Sequence, residues 1–345
     1  MVHTSNGGRP TLEAVAARAG VSRATVSRVV NGGAGVRDEV RERVRRAVTD
    51  LGYVPNSAAR SLVTRRTGAV AVVIAEPESR VFADPFFGRQ LRGVSRALSA
   101  ADVQLLLLLQ ETRADFDRIG RYLSAGHVDG VLMFSLHRDD PLPAMAEASG
   151  LPTVYGGRPG WAGAEHALYV DTDNRDGARQ AVRHLRARGR RRIAVITGPL
   201  DQTSAQDRLD GYRDALAPAA ADPRLIADGG FTAPGGERAM AGLLAAAPDL
   251  DGVFVCSDLM ASGALRTLRA HGRRVPEDVG VVGYDDLDPA AWTDPPLTTV
   301  RQDVEEMGGL MARLLLRRME AGPDAARDGL SPVVTAATLV VRESA

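Results

Sequence analysis

The sequence predicts an all-α head with a helix-turn-helix and a short hinge helix, followed by an α/β core of two lobes. Two short amphipathic segments flank a glycine within residues 11–31. Near the start of the chain, arginines outnumber acidic residues. From residue 67 onward, apolar runs of strand length alternate with helical runs. Such alternation is typical of parallel sheets with helices on both faces, and about a dozen strands favour two sheets over one.

The first helix of the head is predicted from apolar residues at helical spacing, Leu12, Val15, Ala16 and Ala19. Gly20 ends this helix, because glycine adopts a positive φ without steric cost. Ser22 is placed to cap a second helix over about 23–30. A third amphipathic helix is predicted over 37–51, with Gly52 at its end.

The second helix presents small and cationic residues on its outer face, which suits the major groove of DNA. Arginine can pair with guanine there, and hydroxyl groups can bind phosphate. Spacing alone also permits an ordinary helical hairpin with solvated arginines. Charge favours DNA, because residues 1–66 contain 12 arginines and five acidic residues, whereas the remainder contains 31 arginines and 38 acidic residues. An acidic body would be repelled by phosphate, so contact is directed to the head.

A short helix is predicted over 56–64, directly after Pro55. A helix of about two turns is marginal in water by itself. We therefore expect this segment to act as a hinge that becomes ordered only when it is docked.

Several classes of protein are disfavoured by what the chain lacks. Its single cysteine, Cys256, excludes an intrachain disulfide framework and fits a reducing cytosol. No secretory signal is evident, and the longest apolar run, Leu105–Leu109, is too short to span a bilayer. We therefore expect a cytoplasmic protein without membrane contact.

Enzyme chemistry is also not indicated by the sequence. There is no GxGxxG turn, no phosphate loop and no metal-ligand spacing, so neither a cofactor nor a metal is predicted. The histidines His127, His137 and His184 are expected at the surface. We expect no catalytic residue.

Ordered motifs along the chain resemble those of the lactose-repressor (LacI) family of bacterial transcription regulators. The matching segments are 11–31, 51–62, 84–87, 128–131, 170–174, 208–212, 257–265, 282–286 and 296–303. The resemblance covers nearly the whole length. It implies a DNA-binding head over 1–55, a hinge over 56–67 and a two-lobed core similar to periplasmic sugar-binding proteins over 68–345.

The resemblance also implies how the core is divided and how it assembles. Lobe 1 is expected over about 68–170 and 299–328, and lobe 2 over about 171–298 and 329–345. Members of the family act as homodimers or tetramers. Because no heptad helix follows the strand-like run 337–342, we expect a homodimer.

The resemblance assigns DNA contacts to residues of the head and hinge. Base reading is implied for Arg23, Ala24 and Arg28, and phosphate contact for Thr11, Ser22, Thr25, Ser27 and Asn31. In the hinge, Leu62 matches a leucine that wedges into the minor groove, with Ala59 and Arg60 beside it. Each assignment has an alternative. For Ser22 the alternative is a role only as a helix cap, and for Leu62 it is packing into a core lobe.

Effector contacts are implied by the same resemblance. The candidates are Phe87, Gln202, Ser204, Arg208, Phe231, Asp258, Asp285 and Gln302. Arg208 and Asp285 match the most regular ligand contacts of the family, and Phe231 matches an aromatic ring that covers the ligand. Alternatively, Phe87 packs the first core helix, Asp258 caps the helix at 259 and Gln302 binds backbone.

Two departures from the family pattern bear on the ligand. Gln202 stands where purine-binding relatives carry arginine, which disfavours a purine and favours a neutral sugar or oligosaccharide. Ser257 stands where sugar-binding relatives often have asparagine. The stretch Glu76–Ala83 is longer than the usual loop of the family, so we expect an altered pocket mouth.

The sequence therefore predicts a sequence-specific transcriptional repressor that a small sugar releases from operator DNA. A repressor that needs a corepressor, or an activator, is possible on the same scaffold. A sugar-binding protein for uptake is disfavoured by the basic head, and an enzyme by the absence of a nucleophile–base pair.

Overall fold

The computed structural model describes residues 10–30, 33–54, 66–216, 222–321 and 329–345. The chain divides into two compact units between Gly68 and Ala69. The first is an α-helical head, and the second is an α/β core.

The head contains three helices, α1 (Leu12–Ala19), α2 (Arg23–Val30) and α3 (Asp38–Leu51). The predicted stops are confirmed, because Gly20 and Gly52 adopt φ angles of +64° and +60°. The Ser22 hydroxyl oxygen accepts the Thr25 amide hydrogen at 3.2 Å, as expected of a cap. One small apolar cluster holds the helices together; its fully buried members are Val15, Val26 and Val44.

We expect Ser22→Ala to destabilise α2 in the full-length chain by about 1 kcal/mol, because an amide at the helix start loses its acceptor. Amide hydrogen exchange over α2 measures this as roughly fivefold faster exchange. Thr49→Ala is the control, because its hydroxyl donates to the Arg45 carbonyl within α3 and caps nothing. Unchanged exchange in Ser22→Ala would show that the cap adds no stability.

The described residues of the core form twelve strands in two sheets. The strands of the first sheet are β1 (Ala69–Ile74), β2 (Gln104–Leu109), β3 (Gly130–Phe134), β4 (Thr153–Gly156), β5 (Tyr169–Thr172) and β11 (Val333–Thr335). The strands of the second sheet are β6 (Ile193–Thr197), β7 (Ile226–Asp228), β8 (Gly252–Val255), β9 (Gly280–Asp285), β10 (Thr298–Arg301) and β12 (Thr338–Val340).

The sheets have matching topologies, with strand orders β11-β5-β4-β3-β1-β2 and β12-β10-β9-β8-β6-β7. All described strand pairs are parallel except β10–β12, which is antiparallel. The central strands are apolar and fully buried, as parallel strands covered by helices on both faces must be. Each sheet with its helices forms one lobe.

Nine α-helices of the described core connect the strands. They are α4 (Glu78–Ala83), α5 (Pro85–Ala100), α6 (Arg113–Ser124), α7 (Leu142–Ala148), α8 (Asn174–Ala187), α9 (Thr203–Leu216), α10 (Ala233–Ala246), α11 (Asp258–Ala270) and α12 (Val304–Ala321). Helical runs of the sequence near 87–100, 114–125, 175–188, 207–217, 236–246 and 259–271 predict six of them. The helices α4, α7 and α12 are missed.

The expected limits of the lobes need correction. Residues 299–301 were expected in lobe 1, but β10 pairs with β9 of lobe 2. Residues 333–335 were expected in lobe 2, but β11 pairs with β5 of lobe 1. The chain thus crosses between lobes three times, after β5, after β10 and after β11, and each crossing falls at a strand end where no ladder is interrupted.

Helix α12 belongs to lobe 1, where it packs closely against α5. A Cβ atom on Gly93 would lie 1.9 Å from the Glu305 carbonyl oxygen, and one on Gly308 would lie 2.1 Å from the Gln90 carbonyl oxygen. Glycine therefore allows the two helix backbones to approach each other. This contact returns the chain to lobe 1 before its last strands.

Candidate functional site

A cleft between the two lobes lies at the carboxyl ends of the parallel strands. Its walls contain residues that follow β1, β3 and β4 in lobe 1 and residues that follow β6, β8 and β9 in lobe 2. Ligands of open α/β folds bind at such strand ends, where loops can place polar groups around a crevice. The cleft is therefore the candidate effector site.

Arg208 is a buried cation in the lobe 2 wall, on α9. Its Nε donates to the Asn174 side-chain oxygen at 2.8 Å, and one terminal nitrogen donates to the Cys256 carbonyl at 2.6 Å. The guanidinium also lies 3.7 Å from the centre of the Tyr284 ring. Hydrogen bonds and stacking thus fix the orientation of this charge before any ligand arrives.

Asp285, at the end of β9, is a buried carboxyl group 3.8 Å from Arg208. Burial raises its pKa well above the usual range of aspartate, although the positive charge of Arg208 opposes this shift. Gln302 donates to the carboxyl oxygen at 2.6 Å and accepts from the Thr172 hydroxyl at 3.1 Å. Gln302 thereby connects the ligand-facing carboxyl group of lobe 2 to β5 of lobe 1.

Aromatic rings from both lobes face the cleft. Phe231 adopts a φ of +52°, in the left-handed region that side chains rarely occupy, and its ring contacts Gly198, where a Cβ would come within 2.1 Å. Phe87 of lobe 1 and Trp161, which packs edge-on against Tyr155 at 5.2 Å, complete the aromatic lining. Rings of this kind can cover the apolar face of a ligand.

A polar cluster crosses the cleft from lobe to lobe. Glu76 of lobe 1 accepts from Ser135 at 2.6 Å and from Gln202 of lobe 2 at 2.9 Å. His137 of lobe 1 contacts the Asp201 carboxylate of lobe 2 at 2.7 Å. These charged hydrogen bonds join the two lobes in addition to the bond between Gln302 and Thr172.

The pKa values in this cluster follow from its geometry. The carboxylates of Glu76, 3.6 Å away, and of Asp201, 2.7 Å away, raise the pKa of His137 to about 9, although burial acts in the opposite direction. Burial raises the pKa of Glu76, but His137, Arg80 and Ser135 together hold it below its usual value. His137 is therefore an imidazolium at neutral pH.

We expect His137→Asn to lower the free energy of unfolding by about 1 kcal/mol at pH 6 and by much less at pH 10. Because the pKa of His137 is higher in the folded protein than in the unfolded chain, its protonation stabilises the folded state. This stabilisation is complete below about pH 6.5 and is lost as the pH rises through 9. The expected change in the free energy of unfolding is small because 34% of the His137 side chain is exposed to solvent. The chain contains no lysine to titrate in this range.

Thermal unfolding of both proteins from pH 6 to pH 10 measures the difference. His127→Asn is the matched control, because that exposed histidine lies outside the cleft lining. A stability difference between the wild type and His137→Asn that is the same at every pH would contradict an ion pair between protonated His137 and Asp201.

The outer face of α2 carries the side chains expected to read DNA. Arg23, Ala24 and Arg28 are exposed, and Arg23 pairs with Glu13 of α1 at 3.1 Å. Of the expected phosphate contacts, Thr11 accepts the Ala14 amide hydrogen as the cap of α1, and the Ser22 and Thr25 hydroxyls bond each other at 2.9 Å. Ser27 is half-buried in α2. Four expected DNA contacts, Asn31, Ala59, Arg60 and Leu62, lie outside the described residues.

Two family models match this arrangement of head and core. One describes bacterial regulatory proteins of the lacI family and covers residues 11–56, and the other describes a periplasmic binding protein-like domain and covers 182–345. The chain is 53% identical over 313 residues to the HTH-type transcriptional regulator CelR of Thermobifida fusca, covering 90% of this chain and 92% of that protein. The chain belongs to the LacI family. It is therefore a DNA-binding transcription regulator, as its motifs predict.

Further relatives show the same LacI architecture over nearly the full length. The ribose operon repressor of Haemophilus influenzae is 34% identical over 97% of this chain and 98% of its own. A solved CelR–cellobiose complex matches with 49% identity and a TM-score of 0.77, covering 98% of this chain and 100% of that one. The lac repressor dimer bound to operator and the anti-inducer ONPF matches with 27% identity and a TM-score of 0.84, covering 98% and 99%.

The cleft brings together seven of the eight candidate effector residues that the LacI resemblance implies. They are Phe87, Gln202, Ser204, Arg208, Phe231, Asp285 and Gln302. The structure also bears on two of the alternatives. The side chain of Gln302 bonds to other side chains instead of backbone. Phe87 packs in the lobe 1 core and also faces the cleft.

Asp258 is the exception and is corrected here. It is absent from the cleft lining, because its carboxyl group accepts from the Leu287 amide at 2.9 Å and from the Thr299 hydroxyl at 2.6 Å behind the wall. It does not cap α11 either, since the Ser257 hydroxyl accepts the Met260 amide hydrogen. Its role here is to join the loops that follow β8 and β9.

Sequence reasoning missed several lining residues. His137 faces the cleft instead of the general surface, and Arg80, Tyr155, Arg158 and Trp161 were not singled out. Two signals were present: the unusual length of 76–83, and a tryptophan in the glycine-rich turn after β4.

The described part of the chain also bears on membrane-spanning helices and metal-binding clusters. None of its helices combines the length and apolar character that crossing a bilayer requires. Among the same residues, no cluster of His, Cys, Asp and Glu side chains could hold a metal ion.

Proposed function

We propose that the chain is a sequence-specific repressor that leaves its operator when a short neutral oligosaccharide binds between the lobes. The observation that carries this proposal is the charge balance of the cleft. Four of the five cationic side chains of the lining each face a carboxyl group, and Arg138 is the fifth. The pairs are Arg80 with Glu76, His137 with Asp201, Arg158 with Asp207, and Arg208 with Asp285. A ligand with a phosphate or carboxylate group would have to compete with these pairs, whereas a neutral polyol can bind both partners.

Shape and composition support a sugar of more than one ring. Polar groups occur on both lobes, from Asp84 in lobe 1 to Asp285 in lobe 2, and rings such as Phe231 and Trp161 lie on opposite walls. A sugar offers hydroxyls at its edge and apolar C–H groups on its faces, which matches a lining of alternating polar groups and rings. Cellobiose, the ligand in the solved CelR complex, is the first candidate.

On the DNA side, α2 enters the major groove as the recognition helix. Arg23, Ala24 and Arg28 contact bases, while Thr11, Ser22, Thr25, Ser27 and Asn31 contact phosphates. Leu62 of each hinge wedges into the minor groove with Ala59 and Arg60 beside it, and a homodimer supplies the two hinges. The chain acts in the cytoplasm and catalyses no reaction.

The regulatory mechanism is a two-state equilibrium of the core. One arrangement of the lobes favours hinge folding on DNA, and the sugar-bound arrangement disfavours it. The sugar shifts the balance only by its difference in affinity for the two states, typically 1–3 kcal/mol of coupling. Bonds between the lobes, such as His137–Asp201, are among the contacts that a change of arrangement alters.

An electrophoretic mobility shift tests this function on DNA from the region upstream of the chain's own gene and from neighbouring sugar genes. Cellobiose, longer glucose oligomers, glucose, ribose and a purine are added in turn. Release by an oligosaccharide and not by ribose or purine is the expected result. If a ligand instead tightens DNA binding, that ligand acts as a corepressor and not as an inducer. If no DNA fragment gives a specific band shift, operator recognition at these sites is contradicted.

A further inference from the structure

Arg80 lies on α4, the short helix formed by the unusually long segment after β1. Its guanidinium carbon lies 5.2 Å from the ring centre of Phe231 in lobe 2 and 5.8 Å from that of Phe87 in lobe 1. Both rings line the cleft. The cation therefore contacts aromatic side chains of both lobes at the wall of the cleft.

One end of this guanidinium is bound and the other is not. A terminal nitrogen of Arg80 pairs with Glu76, which is itself fixed by Ser135 and Gln202. The Nε–H of Arg80 has no hydrogen-bond partner, although the side chain is only 11% exposed. Arg179 and Arg190 also carry a buried Nε without a partner, but of these three arginines only Arg80 lines the cleft.

We propose that Arg80 is an effector contact, and that its Nε–H donates to an oxygen atom of a neutral oligosaccharide bound in the cleft beside Phe87 and Phe231. This inference rests on the proposed function and adds a specificity-determining residue to it. Glu76 is a positioning residue, because it holds the guanidinium edge so that Nε is directed away from the carboxylate.

The geometry favours arginine specifically at this position. A guanidinium presents several N–H donors in one rigid plane, so one edge can bind Glu76 while Nε serves another acceptor. A lysine ammonium is a single point of charge that can keep the Glu76 pair but cannot place a second donor at the Nε position. Arg80→Lys therefore separates the two roles.

The same bonds give the contact a route to the lobe interface. Glu76 accepts from Arg80 in lobe 1 and from Gln202 in lobe 2. A sugar that fixes Arg80 also fixes Glu76 and so favours the bond to Gln202. Ligand recognition at Arg80 therefore favours contact between the lobes.

Isothermal titration calorimetry with cellobiose and with a set of its monodeoxy derivatives tests this contact in the full-length protein. We expect Arg80→Lys to bind cellobiose at least tenfold more weakly than the wild type. One deoxy derivative should bind the wild type equally weakly and show no further loss with Arg80→Lys, because the two changes remove the same bond. Thermal unfolding without sugar should be unchanged within a few degrees.

Arg96→Lys is the matched control, since this exposed arginine of α5 pairs with Glu305 outside the cleft lining. It should bind cellobiose as the wild type does. Wild-type affinity in Arg80→Lys, or additive losses with every deoxy derivative, would overturn the Arg80 contact and leave the proposed function standing. A wild type that binds no sugar in calorimetry would overturn both.

Discussion

Arg208→Ala should give a protein that still binds its operator but no longer responds to sugar. Arg208 is buried in the cleft wall, and it donates to Asn174 and to the Cys256 carbonyl while facing Asp285. Its removal takes a pre-oriented cation from the ligand and leaves the Asp285 carboxyl group without a counter-charge. Because charged hydrogen bonds contribute about 1.5–3 kcal/mol each, we expect sugar affinity to fall about 100-fold.

Calorimetry with cellobiose and mobility shift with operator DNA measure the two activities separately. Arg213→Ala is the matched control, because Arg213 lies on the same helix, is exposed and pairs with Asp210. Removing a partner from a buried charge pair also destabilises a protein, so thermal unfolding is recorded for each variant. Arg208→Lys, which retains the charge, serves if the alanine variant unfolds. Full sugar response in a folded Arg208 variant would remove Arg208 from the effector site.

The alternating strands and helices of the core were predictable because periodicity records burial directly. Strands such as β3 and β6 are fully buried and read as continuous apolar runs. Helix α12 was missed because its buried residues extend around much of its surface, so no single apolar stripe distinguishes it. Residues 333–335, which form β11, were not predicted as a strand and were assigned to the wrong lobe, because three residues carry no information on which of two sheets they join.

Residues of the site were predictable where a motif fixes their position. Arg208 and Asp285 belong to motifs quoted from the sequence, and both line the cleft. Asp258 belongs to such a motif as well, but the same run of residues places Ser257 at the wall and Asp258 behind it. A motif therefore identifies which loop lies at the cleft. Which of its side chains faces the cleft depends on how the first turn of the following helix is oriented.

Arg80 and His137 could not be predicted, because their function depends on contacts between distant segments. The partners of Arg80 include Phe231, and those of His137 include Asp201. Each contact joins one lobe to the other, so no local spacing encodes it. Only the unusual length of 76–83 indicated that this part of the cleft departs from the family pattern.

Arg28→Ala should weaken operator binding by about 10- to 100-fold and should weaken binding to random DNA much less. Arg28 is exposed on the outer face of α2, and an arginine that pairs with guanine contributes about 1–3 kcal/mol of discrimination. Arg23→Ala should have a smaller effect, because Arg23 already pairs with Glu13 at 3.1 Å and must be separated from it before it can bind a base.

Fluorescence anisotropy with operator and random duplexes over a range of salt concentrations distinguishes base contact from phosphate contact. Loss of a base contact lowers the ratio of operator to random affinity and leaves the salt dependence nearly unchanged. Loss of a phosphate contact weakens both duplexes alike and reduces the salt slope by about one. Arg45→Ala, which removes an exposed arginine of α3, should show at most the second pattern. If Arg28→Ala behaves as Arg45→Ala does, Arg28 binds the DNA backbone and sequence reading must come from other residues of α2 or from the hinge.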